Sequence, residues 1–144
     1  MIYLGADHGG YELKEKIKES LAELNYQFKD LGNATLDQDD DFPDFAVKVA
    51  EKVVVDQALG ILICGTGIGM SIAANKIKGA KAALCCNEDM AAKARAHNDA
   101  NILCLGGRIL KTEEAKKIVR KFLETAFEGA DRLVRRNNKV KQIV

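Results

Sequence analysis

The stretch LGILICGTGIGMSIAANK, from Leu59 to Lys76, joins an apolar run to a glycine-rich turn and then to a run of small residues. The near-continuous apolar run from Leu59 to Cys64 predicts a buried strand, and Gly69 to Lys76 predicts a helix. A strand followed directly by a turn and a helix is the repeating unit of parallel sheets. The segment therefore predicts an α/β fold, and it places the thiol of Cys64 where the buried strand ends.

The rest of the chain repeats this alternation of strands and helices. Apolar runs predict four further strands, at Ile2 to Ala6, Gln27 to Leu31, Lys81 to Cys86 and Asn101 to Leu105. Helical spacing predicts helices that begin near Gly10, at Pro43, at Glu88 and at a cap formed by Thr112. Several strands are apolar throughout, which is typical of a sheet covered on both faces. We predict one doubly wound, Rossmann-like α/β/α domain over residues 1–144, with a five-stranded parallel sheet and a C-terminal helix.

Composition excludes several classes of protein. Apolar residues make up 47% and charged residues 30% of the chain, as in ordinary soluble domains. The formal charge of +1 argues against a nucleic-acid partner. The sequence has no apolar run of about eighteen residues and no signal-like start, so we expect no membrane contact and a cytoplasmic location.

The four cysteines predict reduced thiols, because none of them forms a CxxC pair. Cys85, Cys86 and Cys104 fall in apolar runs and are expected to be small core residues. Cys64 differs from them because a flexible turn follows it.

A doubly wound fold binds ligands at the carboxyl ends of its strands, where the strand order reverses. Three predicted turns at this edge are polar or rich in glycine: Asp7-His8-Gly9-Gly10, Cys64 to Gly69, and Gly106-Gly107-Arg108. If the first and third strands are neighbours, Asp7, His8 and Cys64 face one cleft. The sequence therefore predicts a site at this edge.

Each of these groups also has an ordinary structural interpretation. GTGIG is an incomplete dinucleotide fingerprint, so it is either a tight turn or the phosphate loop of a nucleotide-binding module. Asp7 can cap the helix near Gly10. His97 and Asn98 fit a helix C-terminus, where Asn tolerates left-handed geometry. No Cys or His pair has the spacing of zinc ligands, and we predict no metal.

Two late arginines are spaced for a common target. Arg132 and Arg136 are four residues apart, so on a helix they project from the same side. This arrangement suits a phosphate, which arginine binds in a forked geometry. The alternative is a solvated helix face.

Together these segments are similar to one known family. DHGG, FPDFA, ICGTGIGMSIAANK, ARAHNDANIL, GGR and the late arginine pair follow one another over essentially the whole chain. In this order they strongly resemble the type B ribose-5-phosphate isomerases, to which galactose-6-phosphate isomerase subunits are related. The cysteine before GTG points to the ribose-phosphate branch.

The resemblance implies a role for each matching residue. Cys64 resembles the base that moves a proton between C1 and C2 of the open-chain sugar, and His97 resembles the acid that opens the furanose ring. The remaining implied ligands are Thr66 and the amides of Gly65, Gly67, Ile68 and Gly69 for the enediolate, Asp7 and Asn98 for sugar hydroxyls, and His8, Arg108, Arg132 and Arg136 for the phosphate.

The implied activity is cofactor-independent interconversion of ribose 5-phosphate and ribulose 5-phosphate, a step of the pentose phosphate pathway. Such a reaction needs a base, donors for an oxyanion and a phosphate anchor, and no redox group. The family also implies a homodimer or homotetramer with active sites at the subunit interface.

Three positions depart from the family pattern and leave the preferred sugar open. Leu133 replaces a common histidine, Ala130 replaces the second glycine of a pair, and Phe42 replaces a common tyrosine. The alternatives are an isomerase of a six-carbon sugar phosphate, such as allose 6-phosphate or galactose 6-phosphate, a nucleotide-binding module, and a silent structural paralogue.

Overall fold

Five strands form one parallel sheet in the computed structural model, which describes residues 1–143. The strands are β1 (Ile2–Ala6), β2 (Phe28–Asp30), β3 (Leu59–Cys64), β4 (Ala82–Leu84) and β5 (Ile102–Gly106). Their order in the sheet is β2-β1-β3-β5-β4. The predicted strand count and parallel direction are therefore confirmed.

Helices cover both faces of the sheet, as a doubly wound fold requires. They are α1 (Tyr11–Glu23), α2 (Phe42–Asp56), α3 (Ile68–Ala74), α4 (Glu88–Asn98), α5 (Thr112–Glu124) and α6 (Asp131–Lys141). Apolar residues of α1, α4 and α5 pack in one core cluster, and those of α2 and α3 pack in another. None of the helices within residues 1–143 has the length and apolar character needed to cross a bilayer.

The central strands are apolar throughout because each buries both of its faces. Side chains alternate along a strand, so Ile61 and Ile63 of β3 enter the cluster with α1, α4 and α5. Leu62 and Cys64 point to the opposite face and enter the cluster with α2 and α3. The side chain of Cys64 is thereby directed toward α3, which follows it in the chain.

The edge strands are shorter than the sequence predicts. Only three residues form a strand within each of the two predicted ranges, Gln27 to Leu31 and Lys81 to Cys86. β2 pairs with β1 alone and β4 with β5 alone, so each lacks the second ladder that extends a central strand. The predicted cap at Thr112 is also wrong by one residue, because α5 begins there and the amide of Lys111 donates to Oε1 of Glu114 at 3.1 Å.

The strand order brings three carboxyl ends together. The chain moves from β1 outward to β2 and then returns past β1 to β3, which confirms that the first and third strands are neighbours. Ala6 pairs with Ile63, and Cys64 pairs with Gly106 of β5. The turns that follow β1, β3 and β5 therefore leave the sheet side by side.

Candidate active site

The three turns are in direct backbone contact. A Cβ atom on Gly9 would lie 2.8 Å from the amide nitrogen of Gly65, and one on Gly107 would lie 2.5 Å from the carbonyl oxygen of Gly9. Any side chain at Gly107 would overlap that carbonyl, so the packing needs glycine there. The glycines of the first and third turns therefore let the segments after β1, β3 and β5 form one surface.

Hydrogen bonds fix the third turn against the second. The amide of Gly107 donates to the carbonyl of Cys64 at 2.8 Å, and that of Arg108 donates to the carbonyl of Gly65 at 3.0 Å. The guanidinium of Arg108 passes beside Gly65, 3.4 Å from where a Cβ atom there would lie. A cation is thus held next to the residue that follows Cys64.

Cys64 lies under the glycine-rich turn and is only 5% exposed. The amide of Gly67 donates to its Sγ atom at 3.1 Å, in a turn where Gly67 has a φ of 81°. A backbone N–H directed at sulfur is the kind of contact that a thiolate accepts. The glycine-rich turn therefore donates a hydrogen bond to the cysteine that precedes it, so the thiol and the turn belong to the same local structure.

The neighbouring amide is also engaged. Oγ1 of the exposed Thr66 accepts from the amide of Ile68 at 3.3 Å. The prediction that all the amides from Gly65 to Gly69 hold an enediolate therefore needs refinement, because those of Gly67 and Ile68 already have acceptors within the protein. An incoming oxygen would have to share or displace these two.

The other cysteines are in different surroundings. Burial, with a smaller effect of neighbouring Cys86, raises the pKa of Cys85 to about 11. Burial raises the pKa of Cys104 further still. Both are core residues, as predicted, and stay protonated at neutral pH. Cys86 is exposed, contrary to prediction, because β4 ends at Leu84 and leaves it in the following turn.

Asp7 is a buried member of the first turn and does not cap α1. Its Oδ1 atom accepts from the amide of Gly9 at 2.9 Å, whereas the N-cap residue of α1 is Gly10. The capping interpretation is therefore wrong, because the carboxylate is used inside the turn. Asp7 and Cys64 are brought to the same edge of the sheet, as the sequence predicts.

His8 forms an ion pair that the sequence pattern does not predict. Its Nδ1 atom lies 2.8 Å from Oδ1 of Asp40, which also accepts from the His8 amide at 2.9 Å. Asp40 belongs to the acidic stretch LDQDDD, where no feature distinguishes it from Asp39 or Asp41. Asp40 contacts His8 because of the path that the loop after β2 takes, which the sequence pattern does not reveal.

The charges around His8 favour its imidazolium form. The hydrogen bond to Asp40 raises the pKa of His8; burial opposes this shift, Asp7 supports it and Arg108 opposes it. Burial pushes the pKa of Asp40 upward, but hydrogen bonds from His8 and Asn33 outweigh it and leave that pKa below its usual value. Both shifts favour the charged forms of the two side chains.

His8 and Arg108 line a cavity of about 220 Å³ at this edge, together with Gly107, Glu12 and Gln38. The side chains of Asp7, His8 and Asp40 also place donor atoms within 4.8 Å of one another, close enough for a metal ion. Their hydrogen bonds to each other and to Gly9 already use these atoms. The cavity, with two basic side chains, is suited to an anion.

His97 lies near the amino-terminal ends of the strands, on the side of the sheet opposite to the carboxyl ends where Cys64 lies. It is next to the last residue of α4, and β5 begins only at Ile102, so His97 is near the amino ends of the strands. The left-handed residue after α4 is Asp99, with a φ of 48°, and not Asn98 as the structural interpretation expected. With about 3.3 Å per residue, the length of β5 separates this edge from Cys64 by roughly 15 Å.

Helix α6 lies beside His97. Nδ2 of Asn137 donates to the carbonyl of His97 at 2.8 Å, and Nε2 of His97 is 3.7 Å from Oε1 of Glu128. Leu133, which departs from the family pattern, is buried on this helix. Arg132 and Arg136 are exposed on it.

The predicted site residues thus fall into two groups within one chain. The carboxyl-edge group contains Asp7, His8, Cys64, Gly65, Thr66, Gly67, Ile68, Gly69 and Arg108. The amino-edge group contains His97, Asn98, Arg132 and Arg136. The fold brings the carboxyl-edge residues together and packs α6, which carries the two arginines, beside the end of α4. It does not bring the two groups to each other within one chain.

Comparison with known proteins shows similarity along almost the whole chain. A family model described as Ribose/Galactose Isomerase matches residues 2–143. The probable ribose-5-phosphate isomerase B of Mycoplasma genitalium is 49% identical over 130 residues, 89% of this chain and 86% of that protein. Ribose-5-phosphate isomerase B of Mycobacterium tuberculosis is 44% identical over 136 residues, 94% of this chain and 84% of that protein.

Solved structures agree with this similarity. Ribose-5-phosphate isomerase B of Clostridium thermocellum has a TM-score of 0.94 and 45% identity, covering 98% of this chain and 95% of that one. The Mycoplasma genitalium enzyme with bound ribulose-5-phosphate has a TM-score of 0.94 and 47% identity, covering 98% and 93%. The fold described above is therefore that of these proteins.

Proposed function

The chain belongs to the ribose/galactose isomerase family, and we propose that it interconverts ribose 5-phosphate and ribulose 5-phosphate through an enediolate. The observation that carries the proposal is the Gly67 amide, 3.1 Å from the sulfur of Cys64, beside a cavity lined by His8 and Arg108. This arrangement supports the proposal because it would supply a base, backbone donors and an anion pocket at one edge of the sheet. We place the reaction in the pentose phosphate pathway and in the cytoplasm.

In this proposal Cys64 transfers the proton between the two carbons. The thiolate takes the proton from C2 of the open-chain aldose, and the electrons of that C–H bond form the enediolate. The Cys64 thiol, which can exchange its proton with water, then returns a proton to C1 while the hydroxyl proton moves from O2 to O1, which leaves a carbonyl at C2. Donors near Thr66 stabilise the oxyanion that develops between these steps.

The phosphate would lie in the cavity between His8 and Arg108. Arg108 is hydrogen-bonded through its backbone to Gly65, so the turn that carries the anchor is fixed against the turn that follows the base. Binding energy from a remote phosphate can then hold C1 and C2 against the sulfur.

The amino-edge group would reach this site from a second subunit. Within one chain His97 is separated from Cys64 by the length of a strand, so a single copy lacks the acid that opens the sugar ring. We propose a homodimer, alone or as half of a homotetramer, in which His97, Asn98, Arg132 and Arg136 of one subunit complete the site of the other. A two-fold axis makes the two sites equivalent.

A substrate panel tests the proposed reaction. We expect kcat/KM for ribose 5-phosphate to exceed that for allose 6-phosphate and galactose 6-phosphate at least tenfold, measured by NMR with no added cofactor. A preference for a six-carbon sugar would instead assign the departures at Phe42 and Leu133 to substrate choice. Absence of turnover together with a thermal shift by NAD or ATP would support the nucleotide-binding alternative.

Arginine variants test the predicted phosphate clamp. Replacing Arg132 or Arg136 by Ala should raise KM for ribose 5-phosphate roughly 10- to 100-fold, the range expected for losing a charge-assisted hydrogen bond. Arg135→Ala is the matched control, because it removes the same charge from a different side of α6. Turnover of unphosphorylated ribose should be unaffected in all three. Equal losses in the three variants would show that these arginines act only as surface charge.

A further inference from the structure

One carboxylate oxygen holds two donors of His8. Oδ1 of Asp40 accepts from the amide of His8 and contacts its Nδ1 atom at 2.8 Å. An ionised carboxylate only accepts hydrogen bonds, so Nδ1 must carry a proton. The side chain of Asp40 is 6% exposed and that of His8 is 25% exposed, so the carboxylate lies on the inner side of this contact. The ring orientation of His8 is thereby fixed, and Nε2 is the nitrogen left for a ligand.

Asp40 is itself held in place by a hydrogen bond from Asn33. Its Oδ2 atom accepts from Nδ2 of Asn33 at 3.2 Å. The carbonyl of Asn33 accepts from Nζ of Lys14, which is fully buried in α1 and forms an ion pair with Asp30 at 2.8 Å. A buried ammonium is costly unless it is paired, and the acceptors of Lys14 are Asp30 and the Asn33 carbonyl. The chain thus builds a rigid support for the loop that carries Asp40.

We propose that Asp40 is a positioning residue for the isomerase reaction: supported by Asn33 and Lys14, it holds His8 as a doubly protonated ring whose Nε2 atom donates to the substrate phosphate. This inference rests on the proposed function, because it assigns the cavity beside His8 to the phosphate of a sugar phosphate. Asp40 touches neither the sugar nor its phosphate and acts only through His8.

The chemistry of phosphate requires the proton that Asp40 favours. Phosphate oxygens accept hydrogen bonds, and a neutral ring with its proton on Nδ1 has no donor at Nε2. The hydrogen bond to Asp40 raises the pKa of His8, burial and Arg108 lower it, and Asp7 raises it. Glu12 adds a further carboxylate to the same cavity. Since the cation is present below the pKa and lost above it, phosphate binding should weaken as the pH rises through that value.

NMR titration tests the proposal without using activity. The chain has only two histidines, so two sets of imidazole resonances are expected, and His97→Asn identifies those of His8. Asp40→Asn should lower the titration midpoint of His8 by about one pH unit. Asp39→Asn removes the same charge from an exposed neighbour and should leave the midpoint where it is. An unchanged midpoint in Asp40→Asn would overturn the proposal.

Steady-state kinetics separates positioning from a merely structural role. Asp40→Asn should raise KM for ribose 5-phosphate about tenfold at pH 7.5 and much less at pH 5.5, where His8 is protonated without help. Turnover of unphosphorylated ribose should not change. Losses that are equal at both pH values, or equal for both sugars, would mean that Asp40 only supports the fold.

Inorganic phosphate distinguishes failure of this inference from failure of the proposed function. Phosphate should shift the His8 resonances of the wild-type protein at lower concentration than those of Asp40→Asn. If this difference is seen but ribose 5-phosphate is not isomerised, the result supports the anion site and contradicts the proposed reaction. If both proteins isomerise ribose 5-phosphate equally well and phosphate affects both equally, the result contradicts the positioning role of Asp40 and leaves the proposed reaction supported.

Discussion

Cys64→Ala is expected to lower kcat for ribose 5-phosphate by roughly 10³-fold or more, since the variant lacks the proposed base. Binding should persist, because the phosphate contacts of His8 and Arg108 do not involve the sulfur. In D₂O, incorporation of deuterium at C2 should disappear together with turnover. NMR of the sugar in D₂O measures both quantities in one experiment.

Cys85→Ala is the matched control for this variant. It also removes a buried thiol, but burial keeps the pKa of Cys85 at about 11, so this cysteine is protonated at neutral pH and cannot serve as the base. Its activity should stay close to that of the wild type. Turnover of Cys64→Ala within tenfold of the wild type would exclude Cys64 as the base.

His97→Asn should lower activity on cyclic ribose 5-phosphate by roughly 10²-fold, as expected for loss of a general acid. Imidazole has a suitable pKa for proton transfer to a ring oxygen near neutral pH. Ribulose 5-phosphate cannot close to a furanose, so its C–H exchange does not require ring opening. Initial exchange at C1 of the ketose, measured before ring closure, should therefore be retained far better. Equal losses in the two directions would show that His97 acts in the transfer between carbons.

Much of the fold could be predicted from the sequence because the central strands bury both faces. β1 and β3 have the predicted bounds, since both are continuous apolar runs that end at a polar residue or a glycine. The edge strands were predicted too long, because an apolar residue at a sheet edge can be buried without pairing. Cys86 shows a second limit: its apolar neighbours predict a core residue, yet the strand ends before it and leaves it exposed.

The candidate site was predictable where it depends on glycine-rich turns at strand ends. Asp7, His8, Cys64 and Arg108 meet because parallel strands end at one edge, and the sequence pattern contains that information. Asp40 could not be found, because only the path of a loop distinguishes it from the adjacent aspartates. The spatial separation of His97 from Cys64 follows from the topology, which the order of the motifs along the chain does not contain.

A mixed dimer provides the most direct test of a site shared between two subunits. Cys64→Ala and His97→Asn chains with different affinity tags are co-expressed, and the dimers that carry both tags are purified. If His97 serves the Cys64 of the other subunit, one of the two sites in this dimer is complete and the other lacks both residues. We expect about half of the wild-type activity on ribose 5-phosphate, although each variant alone is nearly inactive. A mixed dimer no more active than the two parent variants would contradict the proposal that the two subunits share each active site.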